Sequence, residues 1–234
     1  MAALVLDEDV RLVVLPPPYM VDSLVNGHVD AFCVGAPWNS VAVDLGVGHI
    51  LHFVSDILER AAEKVLAVRQ SWADKNPDVL AGLIRAAARA ADFIERPENR
   101  AEAARILAQP ERIGVDAEVI QRTLDGRLKV SPDGTRRESS RYLLVGRDGA
   151  ARPDPVQAAW LYAQMVRWGQ TAMRPEALRT AMGVFRPDLF DAAVGAPAAS
   201  SGPSDAVGAF AGPPFDPSDI AGHLAAFSIG HWKP

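Results

Sequence analysis

The sequence predicts an α/β fold at its start and a largely helical remainder. Residues 11–15 and 29–34 are apolar runs that end at proline or glycine, and residues 19–26 between them have apolar side chains at helical spacing. Strand, helix and strand in this order are typical of a βαβ unit in a mostly parallel sheet. From residue 76 onward, apolar residues recur at helical spacing.

The run from Val29 to Asn39 is the centre of this predicted unit. Its strand ends abruptly at Gly35, Pro37 fixes the direction in which the chain leaves, and Trp38 begins a helical pattern that Gly46 would end. Gly35 has no side chain to shield its N–H, so a small ligand could approach the backbone there. The turn is therefore either an ordinary strand-to-helix corner or a ligand-binding edge.

Two further short strands are predicted over residues 49–53 and 64–68. Lys64 begins the second of them. A lysine at the end of a strand, beside glycine-containing turns, is either an ordinary solvated side chain or a cation that holds an anion. The residues alone leave both interpretations open.

Helices are predicted over most of the rest of the chain. Asn76 is a favourable N-cap, and Asp154 precedes a proline at the first helical position. The predicted helices are 76–94, 97–107, 116–124, 155–168, 175–182 and 187–194. Between them, residues 125–153 are polar and turn-rich, with one small strand predicted at 142–145.

Composition excludes several classes of protein. No run approaches the ~18 apolar residues of a membrane span, and a net charge of −5 without a basic face argues against direct nucleic-acid binding. Cys33 is the only cysteine, so the chain has no internal disulfide or thiolate zinc site. We expect Cys33 to be a small buried hydrophobe. The first residues are acidic and do not resemble a signal peptide.

Motifs for catalysis, cofactors and metals are missing from the sequence. His49 and His52 would point to opposite faces of a strand, with no third ligand nearby, so no metal site is expected. The sequence contains no P-loop, no complete dinucleotide fingerprint and no nucleophile elbow. We therefore predict that the chain is not an enzyme, with no catalytic residues and no cofactor.

Several segments together resemble the nitrate- and bicarbonate-binding proteins of ABC transporters and their cytoplasmic nitrate-sensor relatives. The resemblance covers most of residues 10–195. It implies a periplasmic-binding-protein type II fold, whose two lobes close on a small anion. The segments that carry it are Pro16-Pro17-Pro18 with Met20-Val21, Val29 to Asn39, Glu63-Lys64-Val65-Leu66, Lys75-Asn76-Pro77 and Trp168-Gly169-Gln170.

The resemblance also implies an anion-binding site. Its two contacts would be the backbone of Gly35 and the ammonium group of Lys64, with Ala36 and Trp38 as possible neighbours in the cleft and no metal or cofactor. The transporter-associated pattern usually has glutamate where this chain has Ala36. The loss of that carboxylate argues against a metal-assisted bicarbonate site and favours the sensor branch.

By the same resemblance, the chain is an incomplete two-lobe fold with a helix-rich C-terminal part. Residues 1–194 would hold the end of the second lobe and the returning part of the first. Residues 195–234 would be a linker rich in Gly, Pro, Ala and Ser, followed by a docking segment at 220–227. As given, the chain would be cytoplasmic; a preceding segment with a signal would make it periplasmic.

Two functional hypotheses follow. The first is binding of a small oxyanion, most simply nitrate, either as a sensor that partners an RNA-binding antiterminator or as the binding protein of an ABC permease. Nitrite and bicarbonate are the other anions to consider. The second hypothesis is a remnant that binds no anion, or a scaffold for protein interactions.

Overall fold

Helices dominate the part of the chain that the structure describes. The computed structural model describes residues 10–60, 62–195, 207–209, 212–228 and 230. Its helices are α1 (Met20–Val25), α2 (Trp38–Asp44), α3 (Gln70–Lys75), α4 (Pro77–Glu95), α5 (Arg100–Leu107), α6 (Ala117–Asp125), α7 (Pro155–Arg167), α8 (Pro175–Gly183), α9 (Pro187–Val194) and α10 (Ile220–Ala225). Its strands are β1 (Leu58–Arg60), β2 (Arg127–Lys129), β3 (Arg136–Glu138) and β4 (Gly208–Ala209).

The chain folds into two compact units, and each unit is built from two separate stretches of sequence. Unit 1 contains residues 10–51 and 100–143, and unit 2 contains the described residues of 52–99 and 144–230. Within the described ranges, none of the helices combines the length and the apolarity that a membrane span needs.

The core of unit 1 is the contact between α5 and α6. Ala104 from α5 and Ile120 from α6 are almost fully buried there, and Trp38 and Val41 of α2 pack against the same cluster. The helix α6 begins where the Asp116 carboxylate accepts a hydrogen bond from the backbone N–H of Glu118, at 2.7 Å. The local capping signal and the burial of apolar side chains therefore both favour the helix α6.

A short hairpin completes unit 1. Strands β2 and β3 pair antiparallel, with Leu128 opposite Arg137, and Leu128 is fully buried. Gly126 ends α6 in the left-handed conformation, with φ of 66°, and so turns the chain into β2. Beyond β2, the Val130 carbonyl accepts a hydrogen bond from Ile50 N–H at 2.9 Å.

The core of unit 2 lies along α7. Its residues Tyr162, Ala163 and Val166 pack against Ile220 and Leu224 of α10. The Asp154 carboxylate caps α7, as predicted, by accepting a hydrogen bond from Val156 N–H at 2.9 Å. Elsewhere in this unit, β1 and β4 form an antiparallel pair, and α9 packs on α4.

The helical predictions are confirmed, with small shifts at the ends. The sequence located α1, α2 and α4 to α10 from amphipathic spacing, capping residues and prolines at first helical positions. Pro97–Asn99, at the start of one predicted helix, form a 3-10 turn ahead of α5. Helix α3 was not predicted. Asn76 is the N-cap residue of α4 by position, but its side chain donates to the Trp72 carbonyl instead of capping the helix.

The predicted strands are wrong. Residues 11–15, 29–34, 49–53, 64–68 and 142–145 form no strand, whereas two of the observed strands lie in the polar stretch 127–138. A strand needs a hydrogen-bonded neighbour, and apolar composition alone cannot supply one. Five of the six paired residues of the observed hairpin are charged and Leu128 is the sixth, so the hairpin has no alternating apolar pattern that would predict it.

The predicted boundary after residue 194 stays a prediction. Residues 196–206 of the predicted linker, and the acidic N-terminal residues 1–9 on which the signal-peptide prediction depends, lie outside the described residues. Within the predicted docking segment 220–227, the structure has the helix α10, and the docking role stays a prediction.

Candidate functional site

Gly35 and Ala36 lie in the turn that precedes α2, in unit 1. Both residues are half-buried, and the peptide bond between Ala36 and Pro37 is cis. Within the described residues, neither backbone N–H donates a hydrogen bond to a protein group. The turn therefore offers two partly accessible donors, which suit a small oxyanion.

Side chains hold the start of α2 in place. Trp38 packs against the α5 and α6 cluster, and the Asn39 side chain donates a hydrogen bond to the Tyr142 hydroxyl at 3.0 Å. The Asn39 side-chain oxygen also accepts from Ser40 N–H at 3.0 Å. Because these contacts fix the first turn of the helix, they also fix the backbone donors just before it.

The end of α2 is held by charge. Asp44 forms an ion pair with Arg122 of α6, and Lys129 of β2 approaches the same carboxylate at 3.7 Å. All three side chains are less than one third exposed, so solvent weakens these pairs less than it would at an open surface. Helix α2 is thus anchored within unit 1 at both ends.

Lys64 lies in unit 2, beyond β1, in a segment without regular secondary structure. Its side chain is 74% exposed and forms an ion pair with the neighbouring Glu63, which is also exposed. Exposed pairs of this kind contribute roughly 0–1 kcal/mol to stability. Lys64 therefore has the environment of a solvated surface cation, with a partner that it could leave at small cost.

The structure places the two predicted anion contacts in different units. Gly35, Ala36 and Trp38 belong to unit 1, and Lys64 belongs to unit 2. Their roles in anion binding stay predictions. Sequence reasoning missed Tyr142, because the residue lies 103 positions from Asn39 and carries no local motif.

Cys33, His49 and His52, the other residues that the sequence singled out, are all exposed. The expectation of a buried Cys33 side chain is therefore wrong; the strand that would have buried it does not form. Over the residues that the structure describes, no group of three or more His, Cys, Asp or Glu side chains could hold a metal ion.

Comparison with known proteins gives consistent matches. The model of the NMT1-like family matches residues 1–108. The nitrate import ATP-binding protein NrtC of Synechocystis sp. is 32% identical over 229 residues, which are 95% of this chain and 34% of that protein. The nitrate/nitrite binding protein NrtA of Synechococcus elongatus is 30% identical over 184 residues, which are 79% of this chain and 42% of that protein.

A solved structure supports the fold. The crystal structure of the periplasmic nitrate-binding protein NrtA from Synechocystis matches 95% of this chain and 60% of its own chain, with a TM-score of 0.87 and 27% sequence identity. The predicted fold class, an incomplete periplasmic-binding-protein type II-like fold, is confirmed. The chain spans less than half the length of the two curated relatives and 60% of the solved one.

Proposed function

The chain belongs to the nitrate- and bicarbonate-binding protein family, and from this premise we propose that it binds a small oxyanion, nitrate first among them. The observation that carries the proposal is the turn before α2, where the N–H groups of Gly35 and Ala36 have no protein acceptor among the described residues. Binding of this kind requires no bond to be made or broken, so we propose a binding protein and not an enzyme.

Nitrate fits these donors chemically. It is a flat, weakly basic anion that accepts hydrogen bonds through three oxygens without taking a proton. Backbone N–H groups fixed by the anchored start of α2 lose little freedom when they bind it. Ala36 adds no carboxylate to repel an anion, whereas a glutamate at this position would do so.

Lys64 is the proposed cationic contact. Its ion pair with Glu63 competes with the anion, but both side chains are exposed, so the pair is weak and can rearrange. The ammonium group would then interact with nitrate as a point charge with three donors. The contact would weaken as salt concentration rises, because solvent and ions screen an exposed lysine.

Two biological roles remain within this proposal. NrtA from Synechocystis is named as a periplasmic protein, and NrtC as a nitrate import protein; a role like theirs would give this chain an ABC permease as its partner. As a sensor, the chain would be cytoplasmic and would partner an RNA-binding antiterminator. The absence of glutamate at Ala36 supports the sensor role.

Calorimetric titration of the purified chain with nitrate tests the proposal, with chloride, nitrite and bicarbonate as comparison anions. We expect saturable heat with nitrate, and a dissociation constant at least about tenfold weaker in Lys64→Ala, since a hydrogen bond to a charged group contributes roughly 1.5–3 kcal/mol. Lys75→Ala is the matched control, because Lys75 is another exposed lysine of unit 2. It should bind as the unmodified chain does.

The outcomes separate the hypotheses. Nitrate binding that survives Lys64→Ala would remove Lys64 from the site and leave the backbone donors. No heat from a folded chain would contradict the proposal and favour the alternative, a non-binding remnant or interaction scaffold. The exposed, already paired state of Lys64 is the observation on which that alternative rests.

A further inference from the structure

The helix α10 of unit 2 depends on its packing against α7. It has only six residues, and a helix of that length is not stable in water by itself. Ile220 and Leu224 are 3% and 4% exposed, because they pack on the apolar face of α7. Whatever weakens this packing therefore releases the whole of α10.

His223 lies inside this contact. The residue is 5% exposed, and its ring stands edge-to-face with those of Phe215 and Phe227, with 5.0 Å between ring centroids in each pair. Its Nδ1 atom lies 2.9 Å from the carbonyl oxygen of Pro214. A side chain that can take up a proton is thus buried among aromatic rings at the centre of the packing that holds α10.

The contact with Pro214 indicates which nitrogen of His223 carries the hydrogen. A carbonyl oxygen only accepts hydrogen bonds, so we assign the hydrogen of the neutral ring to Nδ1. Nε2 then holds a lone pair, and this atom is buried without a hydrogen-bond partner among the described residues. A proton taken up by the ring would enter at Nε2, so the packed state would bury a charge and an unsatisfied donor.

Helix α7 brings a positive charge to the same aromatic rings. The Arg167 guanidinium lies over the Phe227 ring, 3.6 Å from its centroid. Because arginine is always protonated in proteins, a charged His223 would be a second cation beside this ring. The titratable side chain of α7 in the cluster, Tyr162, directs its hydroxyl to the backbone of residues 172 and 174.

The acidic groups of the neighbouring elements are engaged elsewhere. Asp219 accepts a hydrogen bond from a backbone N–H of α10 at 2.9 Å, and Asp216 accepts from the Ser218 N–H at 2.8 Å. The Ser218 hydroxyl and N–H also hold the pKa of Asp216 below its usual range. On α8, which packs on the same cluster, Glu176 and Arg179 pair with each other at the surface.

We propose that His223 is a pH-sensitive switch: α10 stays packed on α7 while the ring is neutral, and protonation at Nε2 releases it. Imidazole groups in water take up a proton at about pH 6.5. The released state binds one proton more, so the packing is complete above about pH 6.5 and weakens as the pH falls. The inference concerns α10 and does not depend on whether the chain binds an anion.

Amide hydrogen exchange of the full chain, measured by mass spectrometry between about pH 8 and about pH 5, tests the proposal. Each rate is divided by that of the unfolded peptide at the same pH. One proton shifts the equilibrium at most about tenfold per pH unit, so the limit at about pH 5 is roughly thirtyfold. We expect the protection of α10 to fall at least tenfold, while that of α6 stays unchanged.

Neutral variants identify the group that titrates. His223→Asn cannot take up the proton but can still donate toward the Pro214 carbonyl, and His223→Leu instead fills the apolar site. Protection of α10 should not depend on pH in either variant. His52→Asn, at an exposed histidine of unit 2, is the matched control and should respond to pH as the parent chain does. His231→Asn should do the same.

Nitrogen-15 NMR of the histidine side chains gives a readout on the parent chain itself. We expect the Nδ1–H tautomer of His223 at about pH 8, in a signal that His223→Asn removes. This signal should convert to the imidazolium form with the same midpoint as the loss of protection in α10. The measurement remains decisive even if both substitutions at His223 loosen the helix.

Three results would overturn the inference. The first is protection of α10 that does not change over this pH range. The second is a pH dependence that persists in His223→Asn and His223→Leu, or that His231→Asn removes, since another group would then control the release. The third is a His223 ring that becomes charged while the amides of α10 stay protected, because the packed state would then accommodate the charge.

Discussion

Two regions of unit 1 contain apolar residues that differ sharply in their burial. The α5 and α6 pair buries its apolar residues, with Ala104 at 1% and Ile120 at 3% exposure, whereas Val14 in residues 11–15 is almost fully exposed. A helix satisfies its backbone hydrogen bonds internally and needs only a surface on which to pack. A strand needs a neighbour for its backbone as well as for its side chains.

This difference indicates which region stabilises the fold and which region is available to bind another molecule. Stability should come from the helical contacts, because burial there is complete. The exposed apolar segments 11–15 and 64–68 should add little to the free energy of unfolding. They should contribute more to binding another molecule, because their apolar area is still available. Substitutions in the two regions should therefore change the free energy of unfolding by clearly different amounts.

The largest expected effect is that of Ile120→Ala. The substitution removes a buried side chain from the α5 and α6 cluster, so we expect the free energy of unfolding to fall by about 2–5 kcal/mol. Urea unfolding followed by circular dichroism measures this. The comparison variant is Val14→Ala, for which we expect a change within about 0.5 kcal/mol.

Equal losses from the two substitutions would break the comparison. Such a result would mean that residues 11–15 are packed in the free chain in solution. A small loss from Ile120→Ala alone would instead mean that the α5 and α6 cluster collapses easily around the cavity.

The helices could be predicted from sequence because their signals are local. Asp154 caps α7 as the sequence indicated, and Asp116, the first residue of the predicted helix 116–124, is observed as the N-cap of α6; apolar residues at helical spacing follow both. The strands could not be predicted, since the β2 and β3 pairing depends on partners across a turn and on no hydrophobic pattern. Residues 64–68 show the converse, because they have a strand-like composition but pair with no strand among the described residues.

The candidate site was predictable in part. The turn from Gly35 to Pro37 and the start of α2 at Trp38 follow from glycine, proline and apolar spacing, and the structure contains both. The contact between Asn39 and Tyr142 joins distant parts of the chain, so no local pattern indicates it. The sequence left open whether Lys64 is a solvated lysine or part of a site, so it did not predict the ion pair of Lys64 with Glu63.

A smaller effect is expected where the helical region turns into the hairpin. Gly126 has φ of 66°, and a Cβ atom there would lie 2.2 Å from the Ser139 carbonyl oxygen. We expect Gly126→Ala to lower the free energy of unfolding by about 2 kcal/mol, from the left-handed backbone and the clash together. Thermal and urea unfolding measure the loss.

Gly134→Ala is the matched control. Gly134 also has a positive φ, of 95°, but no atom lies within 4 Å of an added Cβ. Its cost should therefore be the backbone part alone and smaller than that of Gly126→Ala. Equal costs would show that Ser139 moves away freely, and that the hairpin is less firmly held than the helices beside it.

The smallest expected effect concerns Glu95, at the end of α4 in unit 2. Its side chain is 15% exposed, and one carboxylate oxygen accepts hydrogen bonds from Val145 N–H at 2.7 Å and Gly146 N–H at 2.9 Å. Burial by itself would raise the pKa of Glu95, but the backbone donors and the Arg147 charge outweigh it and lower the pKa below 4.5. We expect Glu95→Gln to cost about 1 kcal/mol at neutral pH.

The pH dependence of the cost of Glu95→Gln distinguishes the contribution of the Glu95 charge from that of its packing. Because the pKa is lower in the folded state, the carboxylate adds stability above pH 4.5, and this addition is lost as the pH falls through the folded-state pKa. The difference between the parent chain and Glu95→Gln should therefore shrink below pH 4.5 in urea titrations. Glu98→Gln, at an exposed carboxylate nearby, should show little difference at any pH. A cost that stays constant with pH would show that the packing of Glu95, and not its charge, holds residues 145 and 146 against α4.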